Sequence, residues 1–255
     1  MRELGLIYIV AFVYMTLVFI LSQRIKRLDI VDVAWGGAFV TIAISSLLLG
    51  SRGLLQFIVT TLVLIWGIRL SASILKRLMR SKIEDPRYTE MRKTWKGNNA
   101  LNAYVRIFIV QVVLALVISA GVVTVNLSPE MGIGAWGITG VFVWLIGFLF
   151  ETIGDHQLRL HLSDPANRGK LLTSGLWRYT RHPNYFGEAM QWWGISVIAL
   201  SVPFGWLTIV APLTITILLL FVSGVPLTEK RFEGRPGWGA YKKRTSVFFP
   251  LPPKR

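Results

Sequence analysis

The chain has 255 residues, of which 53% are hydrophobic and 16% charged, and its mean hydropathy is +0.54. A soluble domain carries about 45–50% apolar and about 25% charged residues, so these values exclude a disordered chain, a coiled coil and an ordinary cytosolic enzyme, and point to a polytopic membrane protein. Lys and Arg number 28 against 13 Asp and Glu, a formal charge of +15, and the absence of cysteine excludes disulfides, thiolate metal sites, iron–sulfur clusters and a cysteine nucleophile.

A transmembrane helix needs about 20 apolar residues. Seven stretches qualify, at about 4–22, 30–50, 53–75, 102–126, 133–157, 185–202 and 204–228. The first lacks a small-residue cleavage site and is too long for a signal peptide, which predicts a retained helix. Spans two and three meet at Gly50-Ser51-Arg52-Gly53, and spans six and seven near Ser201-Val202-Pro203. All but four of the 28 basic residues (Arg2, Arg52, Arg69 and Arg106) fall in the segments after spans one, three, five and seven. The positive-inside rule then puts the N-terminus outside and the C-terminus in the cytoplasm. The expected fold is all-α: one domain, 1–255, of seven transmembrane helices. Charge of this kind reports topology, and no nucleic-acid partner is expected.

Among the ionisable residues within or at the edge of the spans are Asp32, Arg69, Glu151, Asp155, Glu188 and Glu229. A charge at the bilayer centre costs roughly 2.5–3.5 kcal/mol on insertion scales, so each needs a reason. Singly, each reads as a snorkelling residue or a structural ion pair; together they read as a polar cavity open to the cytoplasm. Glu151 and Asp155 are four apart on one helix face, as are Asn184 and Glu188. His156 and His161, five apart, do not share a face, and no metal site is expected. Arg168 and Lys170 flank Gly169 in a polar loop and are spaced to grip a phosphate, or are simply loop charge. Pro183 suits the first turn of a helix, and the helix start with Arg178, Arg181 and His182 is an anion site in waiting. No dinucleotide-binding glycine motif or P-loop precedes a helix.

The stretch Arg181-His-Pro-Asn-Tyr-Phe-Gly-Glu188, followed by Trp192-Trp193-Gly194, resembles a signature shared by membrane steroid 5α-reductases and isoprenylcysteine carboxyl methyltransferases. Residues 145–250 are more specifically similar to the bacterial branch of the steroid 5α-reductase family. The similarity lies in Glu151…Asp155…Arg159, the Ser163–Lys170 loop, Gly175–Tyr185, and the tail from Glu229 through Tyr241 to Phe-Phe-Pro. Asp32-Val-Ala-Trp-Gly and Trp66-Gly-Ile-Arg69 also look like that branch.

The resemblance implies a reductase in a bacterial inner membrane, acting as a monomer. It would bind NADPH from the cytoplasmic side and reduce the C4–C5 double bond of a 3-oxo-Δ4 steroid or similar enone lipid. Asp155, Asn184, Glu188 and Trp192 match cofactor-contacting positions directly. Lys170 stands where the family has Arg, and Glu151 where animal members have Asn. Arg159, Arg168, Arg178, Arg181, His182, Tyr185, Glu229 and Tyr241 complete the implied cofactor set. In animal members a Glu on span two and a Tyr on span three serve the substrate carbonyl. Their nearest counterparts here are Asp32 and Trp66, with Arg69 as a further catalytic candidate. Asp32 would have to be protonated in that role. Trp35, Trp66 and Trp193, with Asp32, would line the lipid pocket. Two rivals remain open: an S-adenosylmethionine-dependent methyltransferase, and a transporter or lipid-binding protein without enzymatic activity.

Overall fold

A computed structural model describes residues 1–254, and among them every regular element is helical. Helices α1 (Arg2–Ile25), α2 (Ile30–Leu49) and α3 (Leu54–Arg80) come first, followed by a short α4 (Pro86–Lys93). Next are α5 (Asn99–Ile118), α6 (Ala120–Leu127), α7 (Ala135–Ser163), α8 (Pro183–Ala199), α9 (Gly205–Lys230) and α10 (Trp238–Arg244). Six of them, α1, α2, α3, α5, α7 and α9, are long and apolar enough to cross a membrane. The protein is an integral membrane protein. The predicted sixth span coincides with α8, whose 17 residues fall just short of that length. The predicted fourth span is interrupted at Ser119, so that α6 continues it as a separate helix.

Local chemistry explains several boundaries. Asp85 caps α4 by accepting from the Arg87 N–H at 2.9 Å, and Pro86 fills the first helical position, where no N–H is needed. Lys26 ends α1 in the left-handed conformation, at φ 57°. Tyr104 opens a π-turn within α5 and meets the Thr16 hydroxyl of α1 at 2.9 Å.

The chain separates into two compact units. The first comprises Met1–Ala135 and Ala199–Val210. Helices α2 and α3 cross closely at Gly36 and Gly67, where a Cβ on Gly36 would lie 2.4 Å from the Gly67 carbonyl oxygen. Small residues let helix backbones approach, which is how packing drives association where lipid is as apolar as the side chains. A polar knot adds specificity. The Asn126 amide of α6 donates to Ser46 Oγ of α2 at 2.9 Å and to Thr60 Oγ1 of α3 at 3.0 Å.

The second unit comprises Trp136–Ile198 and Ala211–Arg255. Helices α7 and α8 meet along glycines spaced seven apart: Gly140, Gly147 and Gly154 on one, Gly187 and Gly194 on the other. A Cβ on Gly187 would lie 2.5 Å from the Gly147 carbonyl oxygen, and one on Gly194 2.7 Å from that of Gly140. Gly154 faces Pro183 and the Asn184 N–H, so the turn of α7 that carries Glu151 and Asp155 runs beside the first turns of α8.

Candidate functional site

In the second unit the α7–α8 seam carries the acids and amides. Glu151 is buried, and the Gln191 amide donates to its carboxyl at 2.5 Å. Asn184, Glu188 and Gln191 follow each other at four and three residues along α8 and so share a face. Asn184 Oδ1 and Gln191 Oε1 are both buried without a hydrogen-bond partner among the described residues. A buried acceptor left unmet costs about 1–3 kcal/mol, and each of these two oxygens can take a donor. Asp155 and Glu188 are half-buried, and Trp192 is fully buried. The half-buried Trp193 donates its indole N–H to Thr216 at 3.3 Å. Gln191 was not expected from the sequence, although extending the Asn184–Glu188 spacing by one turn reaches it.

The expected anion-binding residues divide into two groups. Arg159, Arg168, Lys170 and Arg178 are exposed. Arg159 meets His156 Nδ1 at 3.2 Å, and Gly169 takes φ 79° between Arg168 and Lys170, held by a turn that Asp164 caps. Arg181, by contrast, is bound by protein. It donates to Glu229 at 2.8 Å and to the carbonyls of Thr245 at 2.6 Å and Lys242 at 3.2 Å, and its side chain is 10% exposed.

His182 is buried, stacks on Tyr185 and meets the same Glu229 oxygen at 3.2 Å, while the Tyr185 hydroxyl meets Thr228 at 2.9 Å. Tyr241 donates to the Trp177 carbonyl at 2.6 Å, and Trp177 in turn donates to the Gly154 carbonyl at 3.2 Å. Burial pushes the Tyr241 phenol above its ordinary range, so it keeps the proton that it donates. These five residues, Arg181, His182, Tyr185, Glu229 and Tyr241, lock the C-terminal tail to the start of α8 and to the loop before it.

In the first unit Asp32 sits in the first turn of α2, half-buried. It accepts from Arg87 Nη2 and from the Tyr88 hydroxyl, both at 2.6 Å. Both donors come from α4, more than fifty residues away, and neither was expected. Burial first, then the Asp32 charge, hold the Tyr88 phenol above its usual range, so its hydroxyl remains a donor. Both carboxyl oxygens of Asp32 are thus occupied as acceptors within the first unit. Trp35 lies edge-on to Phe39 (4.9 Å), and Phe39 edge-on to the buried Trp66 (5.2 Å). Arg69 is half-buried one turn beyond Trp66 on α3.

A wider ionic network surrounds Asp32. Arg27 holds both oxygens of Asp29, at 3.0 and 2.8 Å; Asp29 accepts from the Asp85 N–H at 3.1 Å; and Glu84 receives the Leu28 N–H at 2.6 Å and pairs with Arg92. It pins the segment between α3 and α4 to the start of α2.

The family described as a protein of unknown function, DUF1295, matches residues 18–245. The chain belongs to that family. It is also similar to 3-oxo-5-alpha-steroid 4-dehydrogenase 1 of Bos taurus, at 40% identity over 70 residues, which is 27% of this chain and 26% of that protein. The Homo sapiens protein of the same name is 39% identical over 66 residues (26% and 25%), and that of Mus musculus 37% over 65 residues (25% of each). The resemblance to steroid 5α-reductases thus holds over part of the chain, and the matched stretch spans only 25–26% of these relatives' length. No solved structure matches.

Proposed function

We propose that the protein is a membrane-embedded, NADPH-dependent reductase of the C4–C5 double bond of a 3-oxo-Δ4 steroid or similar enone lipid. The observation that carries this reading is the similarity to proteins named 3-oxo-5-alpha-steroid 4-dehydrogenase 1. The composition of the second unit supports it. A dinucleotide phosphate needs several cations, and Arg159, Arg168, Lys170 and Arg178 stand exposed there. Its carboxamide N–H suits the buried, unmet Asn184 Oδ1. Asp155, Glu188 and Glu151 suit ribose hydroxyls as acceptors. The residues thus fit the group. Arg181, His182, Tyr185, Glu229 and Tyr241 act by holding the surrounding chain.

When bound, NADPH supplies the hydride that adds to the enone β-carbon. Negative charge then builds on the carbonyl oxygen, and a fixed donor aimed at that oxygen lowers the barrier. Both Asp32 oxygens already accept, from Arg87 and from Tyr88. In this reading Arg69 and the Trp66 indole N–H are the groups of the first unit that would polarise the carbonyl, Asp32 with Arg87 and Tyr88 orders the entrance of α2, and Trp35 in the first unit and Trp193 in the second each offer an aromatic surface to an apolar substrate. The charge asymmetry supports seven crossings with the site open to the cytoplasm of a bacterial inner membrane.

Purified protein in detergent should oxidise NADPH only when a 3-oxo-Δ4 steroid is added. NADPH binding without turnover across several enone steroids would assign a different acceptor. Stabilisation by S-adenosylmethionine but not by NADPH would favour the methyltransferase reading, for which the exposed cations have no evident use. Asn184→Ala removes one buried acceptor, a loss of about 1–3 kcal/mol, and should weaken NADPH binding about 5- to 150-fold while the fold persists. Unchanged affinity in that variant, measured by nucleotide titration, would move the cofactor away from α8.

A further inference from the structure

The joint between the end of α1 and the end of α3 carries more positive charge than the fold uses. Arg27 donates to three backbone carbonyls at or beyond the end of α3: Leu78 at 3.5 Å, Ser81 at 2.8 Å and Ile83 at 3.1 Å. A helix C-terminus carries the negative end of the macrodipole, and Arg27 covers it. Arg27, Arg87 and Arg92 also absorb the acids of this region, Asp29, Asp32, Glu84 and Asp85. Left at the joint are Arg24, Lys26, Arg77, Arg80 and Lys82, all exposed and none of them in an ion pair among the described residues.

Beside these cations lies exposed apolar surface. Met79 is 77% and Ile83 72% exposed, interleaved in sequence with Arg80 and Lys82. A soluble phosphate would gain nothing from that surface, whereas an acyl chain would. The depth also fits a lipid. The 27 residues of α3 span about 40 Å, more than the roughly 30 Å of hydrocarbon, so its last turns reach the headgroup level.

We propose that this joint binds an anionic phospholipid, with the headgroup phosphate drawn to Arg24, Lys26, Arg77, Arg80 and Lys82 and an acyl chain lying on Met79 and Ile83. Juxtamembrane clusters of this size are attracted to anionic leaflets, and the attraction is screened by salt. The site needs only that the chain sits in a bilayer and stands apart from the proposed reductase chemistry.

The test is the thermal midpoint of the full chain in non-ionic detergent, with phosphatidylglycerol, phosphatidylcholine or glycerol phosphate added at equal concentration. Phosphatidylglycerol alone should shift the midpoint upward, and high salt should erase the shift. The triple variant Arg77→Gln/Arg80→Gln/Lys82→Gln should lose the shift and keep the midpoint that the parent has in detergent alone. An equal shift from phosphatidylcholine, or a full shift retained by the triple variant, would overturn the proposal. So would an equal shift from glycerol phosphate, which would make the joint a soluble-anion site. Met79→Ser/Ile83→Ser tests the acyl contact with every cation in place. Its shift should shrink, and an undiminished shift would overturn the lipid assignment even if the triple variant failed to fold.

Discussion

Asp29→Ala should lower stability by about 3–5 kcal/mol, the range for removing one partner of a buried ion pair. For a chain of this size that corresponds to a fall in thermal midpoint of roughly 6–20 °C. The Asp29 side chain is 6% exposed and its partner Arg27 21% exposed. Without the carboxylate, the Arg27 guanidinium keeps only backbone carbonyls as partners, and the Asp85 N–H loses its acceptor as well. The segment from Ser81 to Asp85 should detach from the start of α2, and protease cleavage there is the local readout. Asp29 and Arg27 share one network, so the double variant Arg27→Ala/Asp29→Ala should cost less than the two single variants added together. Additive losses would mean that the pair does not act as a unit.

Arg181→Ala should be comparably damaging, about 3–5 kcal/mol for the same physical reason. It strips Glu229 of a guanidinium and frees the carbonyls of Lys242 and Thr245. The C-terminal tail should become protease-sensitive, and Arg181→Lys should rescue little, because a single ammonium cannot reproduce the planar fork that reaches three acceptors. This variant also separates the two roles open to Arg181. A fastener loses stability and leaves the nucleotide affinity of the remaining folded protein nearly unchanged. A phosphate-binding residue loses affinity first and stability hardly at all. The contacts in the structure favour the fastener.

The two cases show where local reading reaches and where it stops. Asn184 and Glu188 could be paired from the sequence because helical periodicity alone puts residues four apart on one face. Arg181 could not be assigned in this way. Its neighbours in sequence, Arg178, His182 and the coming helix start, suggest an anion site, but its partners arrive from Glu229 and Lys242–Thr245, at sequence separations of 48 to 64 residues. Asp32 is similar. Its position at a span edge was legible, but its hydrogen-bond partners are Arg87 and Tyr88 of α4, a segment that read only as basic loop.

Composition and apolar run length were enough for the class of protein and for the positions of most spans. Both follow from residue types within about 20 consecutive positions, which need no knowledge of distant chain. Which cations are taken up in ion pairs, and that Glu151 meets Gln191, became visible in the folded chain. It alone showed glycines seven apart bringing α7 onto α8. Those outcomes depend on contacts a few ångströms long between residues tens of positions apart, and no local pattern encodes which distant partner a charged or small side chain will meet.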